Sequence, residues 1–572
     1  MTENILIIGG VAAGPKTACR LKRLNPEARI TIVDQDSLIS YGGCGIPYYV
    51  SGDVSDEKEL RSTSFHAVRD PLFFENAKGV GVLTRTRATA IDRKAKQVAV
   101  TNLDSGEEQR LAYDRLVLCT GSQPNRVPIP GADLPGVYLI SDLHQAIAIK
   151  EQIAKGKVGR VVVIGGGPIG VEMAESFGDL WGLDTTIVEL MPQLLPRIVD
   201  PILARMLDKH LTDHGITIFT DEKVQAINQE GEGYRVVTDK RELPADLIVM
   251  AVGVRPRSEL ARSAGLLVGP TGGVVVNSRL QTSDPAIYAA GDCIETNHLV
   301  SGKRVCAPFG SLANRQGRVV ADNLAGIPSL FPGVINSFIM KAFDVAIGAT
   351  GLSLETALAD GFDADRVFTA QSDRAHFFPT QAIIPLAMVF DRRSRKVLGV
   401  QGFGPMGDAV LARLDAAAGL IAKGALVEDF INLEMAYAPP FATALDALNA
   451  TANVAENALA GRLRTVEMEA FLAWMEDQTL HPDWLALDIR HPNEAGVFKE
   501  AFADRWLTIP YVEVRARREE VPSDRNLIII CDAGTRSYEV QSFLDSIGKR
   551  NTLVLGGGFN LVRRMAVSWW PK

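Results

Sequence analysis

The chain is poor in cysteine. Its 572 residues hold only six: Cys19, Cys44, Cys119, Cys293, Cys306 and Cys531. No two stand in a Cys-x-x-Cys pair, which argues against a disulfide framework and against a Cys-rich zinc site. Such usage suits a reducing compartment, so the cytoplasm is the expected location. Long apolar runs are missing as well. None approaches the ~20 residues of a membrane helix, so no membrane association is expected. The short apolar start, MTENILIIGG, has no basic residue ahead of it and reads as a strand rather than a signal peptide. There is no excess of positive charge. Sixty Lys+Arg face 68 Asp+Glu, a net of −8, so the basic footprint that nucleic acid requires is absent. With 47% hydrophobic and 22% charged residues, the chain has the composition of three or four packed units.

Glycine is abundant, 51 in all, and clusters directly after short Val/Ile/Leu runs. That pattern spells strand, tight turn, helix, the grammar of an α/β fold. Ile5 to Ile8 run into Gly9-Gly10-Val11-Ala12-Ala13-Gly14 and a helix to Leu24. Val161 to Ile164 run into Gly165-Gly166-Gly167-Pro168-Ile169-Gly170 and a helix to about Trp181. A helix that starts on such a turn offers free N–H groups and a partial positive charge to a pyrophosphate. Gly165, Gly167 and Gly170 complete the GxGxxG spacing, and Glu189 is placed to bind the adenine ribose. No Arg immediately follows Glu189 (Leu190, Met191, Pro192), which favours NADH over NADPH. The first loop is looser, with Gly9, Gly14 and Asp34 in place but Val11 between. Taken alone it reads equally well as a structural turn.

Two more motifs follow in order: Leu116 to Gly121, LVLCTG, and Thr282 to Asp292, TSDPAIYAAGD. With the glycine loops they resemble the two-dinucleotide-domain flavoprotein disulfide reductases, over about residues 1–450. The resemblance implies FAD on the first loop, held by Gly9, Gly14 and Asp34. Thr120 and Gly121 would close over it, and Asp292 would bond its ribityl chain. The implied architecture has two Rossmann-like domains, with FAD on 1–155 and 252–328 and NADH on 156–251. An α+β dimerisation domain follows at 329–450, then a linker at 451–466, and the chain should form a homodimer.

The stretch Ser40 to Tyr49 carries Cys44 where glutathione-reductase-like members have a CxxxxC pair, but residue 49 is Tyr. One cysteine cannot store two electrons as an internal disulfide. It pairs with an external sulfur or becomes a sulfenic acid. The chain therefore resembles the single-cysteine members: NADH oxidases, NADH peroxidases and coenzyme A-disulfide reductases. The first loop lacks the His that peroxide-reducing members carry. Tyr437-Ala438-Pro439-Pro440-Phe441 resembles the C-terminal part of coenzyme A-disulfide reductases, where Tyr437 would reach the other subunit's active site and protonate a thiolate. By the same resemblance Arg20, Arg23, Ser40, Asn314 and Arg318 would bind coenzyme A. A solvated basic helix face is the other reading of Arg20 and Arg23. The chain departs from its relatives at Gly43 (often Asn), at Phe377-Phe378 (often a Tyr pair) and at Pro168 (often aromatic). Each departure bears on turnover of coenzyme A disulfide.

Residues 467–572 form a further α/β unit. Leu527 to Ile530 run into Cys531-Asp532-Ala533-Gly534-Thr535-Arg536. A loop of this kind curls its N–H groups around one point and favours an anionic sulfur. The CxxxxR spacing from Cys531 to Arg536, with Leu487 to Arg490 (Asp-x-Arg) and Gly556 to Phe559, resembles a single rhodanese domain. A protein-tyrosine phosphatase loop is one residue longer. The whole chain resembles coenzyme A-disulfide reductase–rhodanese fusions, the NADH-dependent persulfide reductases. The expected activity is reduction of a coenzyme A persulfide or polysulfide to hydrosulfide, with sulfur supplied through Cys531. Two other readings stand beside it. One is an NADH oxidase or peroxidase cycling through a Cys44 sulfenate. The other is a sulfurtransferase or redox-sensing carrier. His210 and His214 are four apart on an expected helix with no third ligand near in sequence. A solvated helix face is expected there, and no metal.

Overall fold

The computed structural model describes residues 3–140, 142–477 and 479–571. The chain divides into two compact units, Met1–Pro192 with Gly215–Val334, and Gln193–His214 with Ile335–Lys572.

In the first unit a five-stranded parallel sheet has the strand order Ile287–Ala289, Arg115–Leu118, Asn4–Ile8, Arg29–Val33, Gly81–Leu83. Its central strands are continuous aliphatic runs because both faces are covered. The helix Ala13–Leu24 follows the first strand. A second parallel sheet has the order Thr217–Phe219, Asp184–Val188, Arg160–Ile164, Leu247–Met250, Val137–Tyr138. There the helix Pro168–Gly178 follows the central strand. In both sheets the glycine loops leave the carboxyl end of the middle strand, where open α/β sheets bind ligands.

In the second unit an antiparallel sheet runs Phe338–Ala342, Val345–Gly351, Val397–Pro405, Ile383–Asp391, Ala364–Ser372. The expected strands at Ala387 to Phe390 and Lys396 to Val400 are parts of its two longest members. The helix Asp408–Ile421 covers it. The stretch 451–466, read from sequence as helix and linker, is mostly a packed helix, Ala447–Leu459. Its Asp446 cap accepts from the Leu448 N–H at 2.9 Å and pairs with Arg413 at 2.6 Å, both carboxylate and guanidinium buried. Thr451 on this helix bonds Thr369 on the sheet at 2.7 Å. Small Ala and Thr residues looked polar and loose in sequence, but they let the helix lie close against the strands.

The C-terminal part has a parallel sheet ordered Thr465–Val466, Thr552–Leu555, Asn526–Ile530, Trp484–Asp488, Trp506–Thr508. The Asp488–Arg490 pair lies inside it at 2.6 Å, fully buried, with the guanidinium over the rings of Phe498 and Phe559. Trp506 also donates to Asp488 at 3.1 Å. This pair is a structural strut of the sheet.

Candidate active sites

The first glycine loop is shaped by close backbone approach. A Cβ on Gly9 would lie 2.0 Å from the Cys119 carbonyl oxygen, and one on Gly14 would lie 2.0 Å from that of Gly9. No side chain caps the helix that follows, so its first N–H groups remain available to an anion. Asp34 accepts from the Gly10 N–H at 2.6 Å and the Asp36 N–H at 2.8 Å. Burial nevertheless pushes its carboxyl up from the ordinary range. Gly9, Asp34, Thr120 and Arg257 line one cavity of about 530 Å³, a size suited to a nucleotide moiety. Thr120 donates to the Arg257 carbonyl at 2.6 Å, and Gly121 turns the chain at φ +70°. Asp292 accepts from Ser122 at 3.0 Å, and burial raises its pKa. These residues fit FAD.

The second loop shows the same packing with one difference. A Cβ on Gly165 would meet the Ala251 carbonyl oxygen at 2.5 Å, and one on Gly170 would meet that of Gly165 at 1.9 Å. At Gly167 it would meet nothing within 4 Å. The fold does not require glycine at 167, whereas a dinucleotide lying on the loop does. Glu189 is buried and accepts from Gly166 at 2.5 Å and Met191 at 2.7 Å. These residues fit NADH.

Cys44 sits in the tight turn Gly43–Gly45, ahead of the helix Ile46–Ser51. It is the one exposed cysteine among the described residues. The helix Gly310–Leu324 begins beside it. A Cβ on Gly310 would be 3.6 Å from the Cys44 sulfur, and the Gly310 N–H is aimed at that sulfur. This N-terminus favours a thiolate. Partial desolvation of the sulfur by the protein around it, and then the neighbouring Glu172, oppose this and leave the Cys44 pKa raised. Glu172 is held at about 7 by burial and by Glu175. Tyr48 is pushed up to about 12, by burial and then by Glu172. The sequence reading missed Glu172. Its position shows only as an acid two residues after Gly170, on a helix that also carries Glu175, and that spacing does not announce its burial.

The expected coenzyme A residues divide. Arg20 and Arg318 both face Asp322, at 2.9 and 3.9 Å. Asn314 donates to the Gly310 carbonyl at 2.9 Å. Gly310, Asn314 and Arg318 are thus successive turns of one helix leading from Cys44, with Arg318 ~12 Å along it. Ser40 is buried, in the left-handed region at φ +53°, with its N–H on Gly10. Arg23 is exposed in the last turn of the first helix. It acts on Cys19 together with Lys16, Arg69 and Lys78. Arg69 and Lys78 come from distant sequence, so the positive charge there is a cluster rather than one helix face.

In the second unit, Cys531 ends the strand Asn526–Ile530 and is only 1% exposed. The Gly534 N–H donates to its sulfur at 3.0 Å, and the helix Thr535–Ser546 starts at once. The Gly556 to Phe559 run braces the loop: Phe559 N–H donates to the Cys531 carbonyl at 3.0 Å and Asn560 N–H to that of Asp532 at 2.9 Å. The Arg536 guanidinium is ion-paired with Asp532. A cavity of about 590 Å³ is lined by Ala533, Gly534 and Thr535 of this loop together with Tyr437, Phe377 and Tyr538. Tyr437 and the Cys531 loop therefore open on one space.

Two dinucleotide folds and a lone cysteine at a helix N-terminus define a nucleotide-dependent thiol oxidoreductase. The Pyridine nucleotide-disulphide oxidoreductase family matches residues 3–308, and the dimerisation domain of that family matches 338–448. The chain belongs to this family. It is 35% identical over 454 residues to the NAD(P)H coenzyme A polysulfide/persulfide reductase of Pyrococcus horikoshii, covering 79% of this chain and 98% of that one. It is 34% identical over 457 residues to an NADH oxidase of Methanocaldococcus jannaschii, covering 80% and 99%. The structure of a NAD-dependent persulfide reductase from A. fulgidus matches 98% of this chain and 99% of its own, at 37% identity and a TM-score of 0.91. That match extends through the C-terminal part, which the two curated relatives lack. No helix among the described residues is long and apolar enough to cross a membrane.

Proposed function

We propose that this protein is an NADH- and FAD-dependent reductase of coenzyme A persulfide or polysulfide, fed with sulfane sulfur by a C-terminal rhodanese-type domain. The observation that carries the reading is Cys44, exposed at a helix N-terminus with no second cysteine beside it. Such a sulfur completes a two-electron cycle only by pairing with an external sulfur or by oxidation. FAD and NADH, bound on the two glycine loops, would supply the two electrons that reduce a disulfide at Cys44. The Cys44 thiolate attacks the inner sulfur of the persulfide, forming a Cys44–coenzyme A disulfide and expelling hydrosulfide, a good leaving group. Reduction of that disulfide by two electrons and one proton restores the Cys44 thiolate and free coenzyme A. Tyr437 of the partner subunit, in a homodimer formed through 329–450, donates the proton. Arg20, Arg23 and Arg318 hold the phosphates, and Asn314 and Ser40 flank the arm. Cys531 takes up sulfane sulfur with Arg536 at its loop, and the shared cavity with Tyr437 supports delivery within the second unit. Six free cysteines suit the cytoplasm.

The likeness to an NADH oxidase keeps a second reading in view, with Cys44 as a sulfenate. Anaerobic NADH oxidation with coenzyme A persulfide, coenzyme A disulfide and peroxide in parallel separates the two. Stoichiometric sulfide from the persulfide, lost in Cys44→Ser, supports the reductase. Fast turnover on peroxide with little on persulfide overturns it.

A further inference from the structure

The sequence places His210 and His214 on a solvated helix face. His214 is indeed exposed and His210 half-buried, but they do not stand alone there. Both project from the helix Pro201–Asp213 and its cap toward the turn between strands Phe338–Ala342 and Val345–Gly351. That turn brings Asp344 to them: one carboxylate oxygen lies 3.0 Å from His210 Nε2 and 3.8 Å from His214 Nε2. One ligand atom from each of the three residues lies within 4.8 Å of the others. Phe343, in the left-handed region at φ +53°, stacks on the His214 ring at 4.3 Å and fixes the turn against the helix.

The tautomers are set from behind. His214 Nδ1 lies 2.8 Å from the His210 carbonyl oxygen, so it carries the proton and leaves the Nε2 lone pair free. His210 donates to the Ala342 carbonyl. Its Nε2 is shut off from solvent and has no hydrogen-bond partner, so the donor is Nδ1. The 3.0 Å approach of Asp344 to Nε2 does not have the geometry of a hydrogen bond. Two imidazoles with backbone-anchored Nδ1 groups and free Nε2 atoms converging on a carboxylate form the donor arrangement of a metal site with its outer partners in place.

We propose that His210 Nε2, His214 Nε2 and Asp344 bind a borderline divalent cation of the Zn²⁺ class. Two nitrogens and one oxygen suit Zn²⁺, Co²⁺ or Ni²⁺ over Mg²⁺ or Ca²⁺. Asp344 is 80% exposed on its side chain, so the fourth position opens to water. The ion would clip the helix to the strand hairpin of the second unit.

The test uses the full-length FAD-loaded protein in a Cys44→Ser/Cys531→Ser background, so that the two reactive thiols do not compete for the metal. Equilibrium dialysis against Zn²⁺, with metal counted by mass spectrometry, should give one ion per chain. Asp344→Asn and His214→Gln should each weaken binding roughly tenfold or more, with FAD content and melting in metal-free buffer unchanged. Zn²⁺ should raise the melting temperature of the parent and not of Asp344→Asn. Mg²⁺ should do neither. Absence of stoichiometric Zn²⁺ binding, or equal binding by the parent and both variants, would overturn the site.

Discussion

Replacing Glu172 with Gln removes a carboxyl whose pKa burial, and then Glu175, lift from the usual 4.5 to about 7. Between those pH values the folded chain holds a proton that the unfolded chain has released. The folded pKa is the higher one, so stability is greatest below about pH 4.5 and declines until the group is ionised above about pH 7. That interval is worth roughly 3 kcal/mol at most, less whatever solvent returns at this half-buried site. Glutamine keeps the shape and never ionises. At pH 8 the FAD-loaded variant should melt a few degrees above wild type, and the gap should shrink steadily as the pH falls toward 5. The same change removes the second-largest influence raising Cys44, so iodoacetamide should alkylate Cys44 of the reduced variant faster near neutral pH. Melting followed across pH 5–8 by flavin fluorescence, with alkylation mapped by mass spectrometry, checks both. Identical pH dependence of melting in the two proteins would refute the assignment of a raised pKa to Glu172.

Gly167→Ala should fold with wild-type FAD content and stability within ~0.5 kcal/mol, because its new methyl meets no protein atom. It should still raise KM for NADH about tenfold, read by steady-state kinetics. Gly170→Ala, whose methyl would sit 1.9 Å from a carbonyl oxygen, should instead lose about 1–3 kcal/mol of stability. Arg318→Ala should raise KM for coenzyme A persulfide roughly tenfold with little change in kcat, while turnover on a small persulfide lacking the phosphates stays the same. Arg490→Met strands the buried Asp488 carboxylate and should cost ~3–5 kcal/mol of C-terminal stability. Thiosulfate–cyanide transfer should then fail on mild heating while NADH still bleaches the flavin.

Much of the fold is written in local signals. A Val/Ile run followed by glycine has one economical conformation, so both dinucleotide loops, Asp34, Glu189 and Asp292 can be found by counting along the chain. The same holds for the Cys531 loop, where strand, CxxxxR and helix are contiguous. The positions of residues that meet only after folding are not legible in this way. Glu172 gains its raised pKa from helix packing around it, and nothing in its sequence neighbourhood reports that burial. Arg69 and Lys78 join the basic cluster across more than forty residues of chain. Asp322, which gathers Arg20 and Arg318, has no spacing signature. Asp344 is 130 residues from His214, so two histidines at helical spacing read as solvent-facing until the hairpin is placed. The packed helix Ala447–Leu459 reads partly as linker in sequence because small residues serve a close helix–sheet contact and a loose segment equally well.

The central claim is that Cys44 carries the reducing equivalents to a coenzyme A sulfur. Mixing the NADH-reduced enzyme anaerobically with one equivalent of coenzyme A persulfide, quenching with acid and mapping the adduct by mass spectrometry tests it directly. The account predicts one coenzyme A joined by a disulfide to Cys44, with one equivalent of sulfide released, and no such adduct in Cys44→Ser. Sulfide release with Cys44 unmodified throughout, or a Cys44 sulfenic acid as the only trapped species, would contradict it.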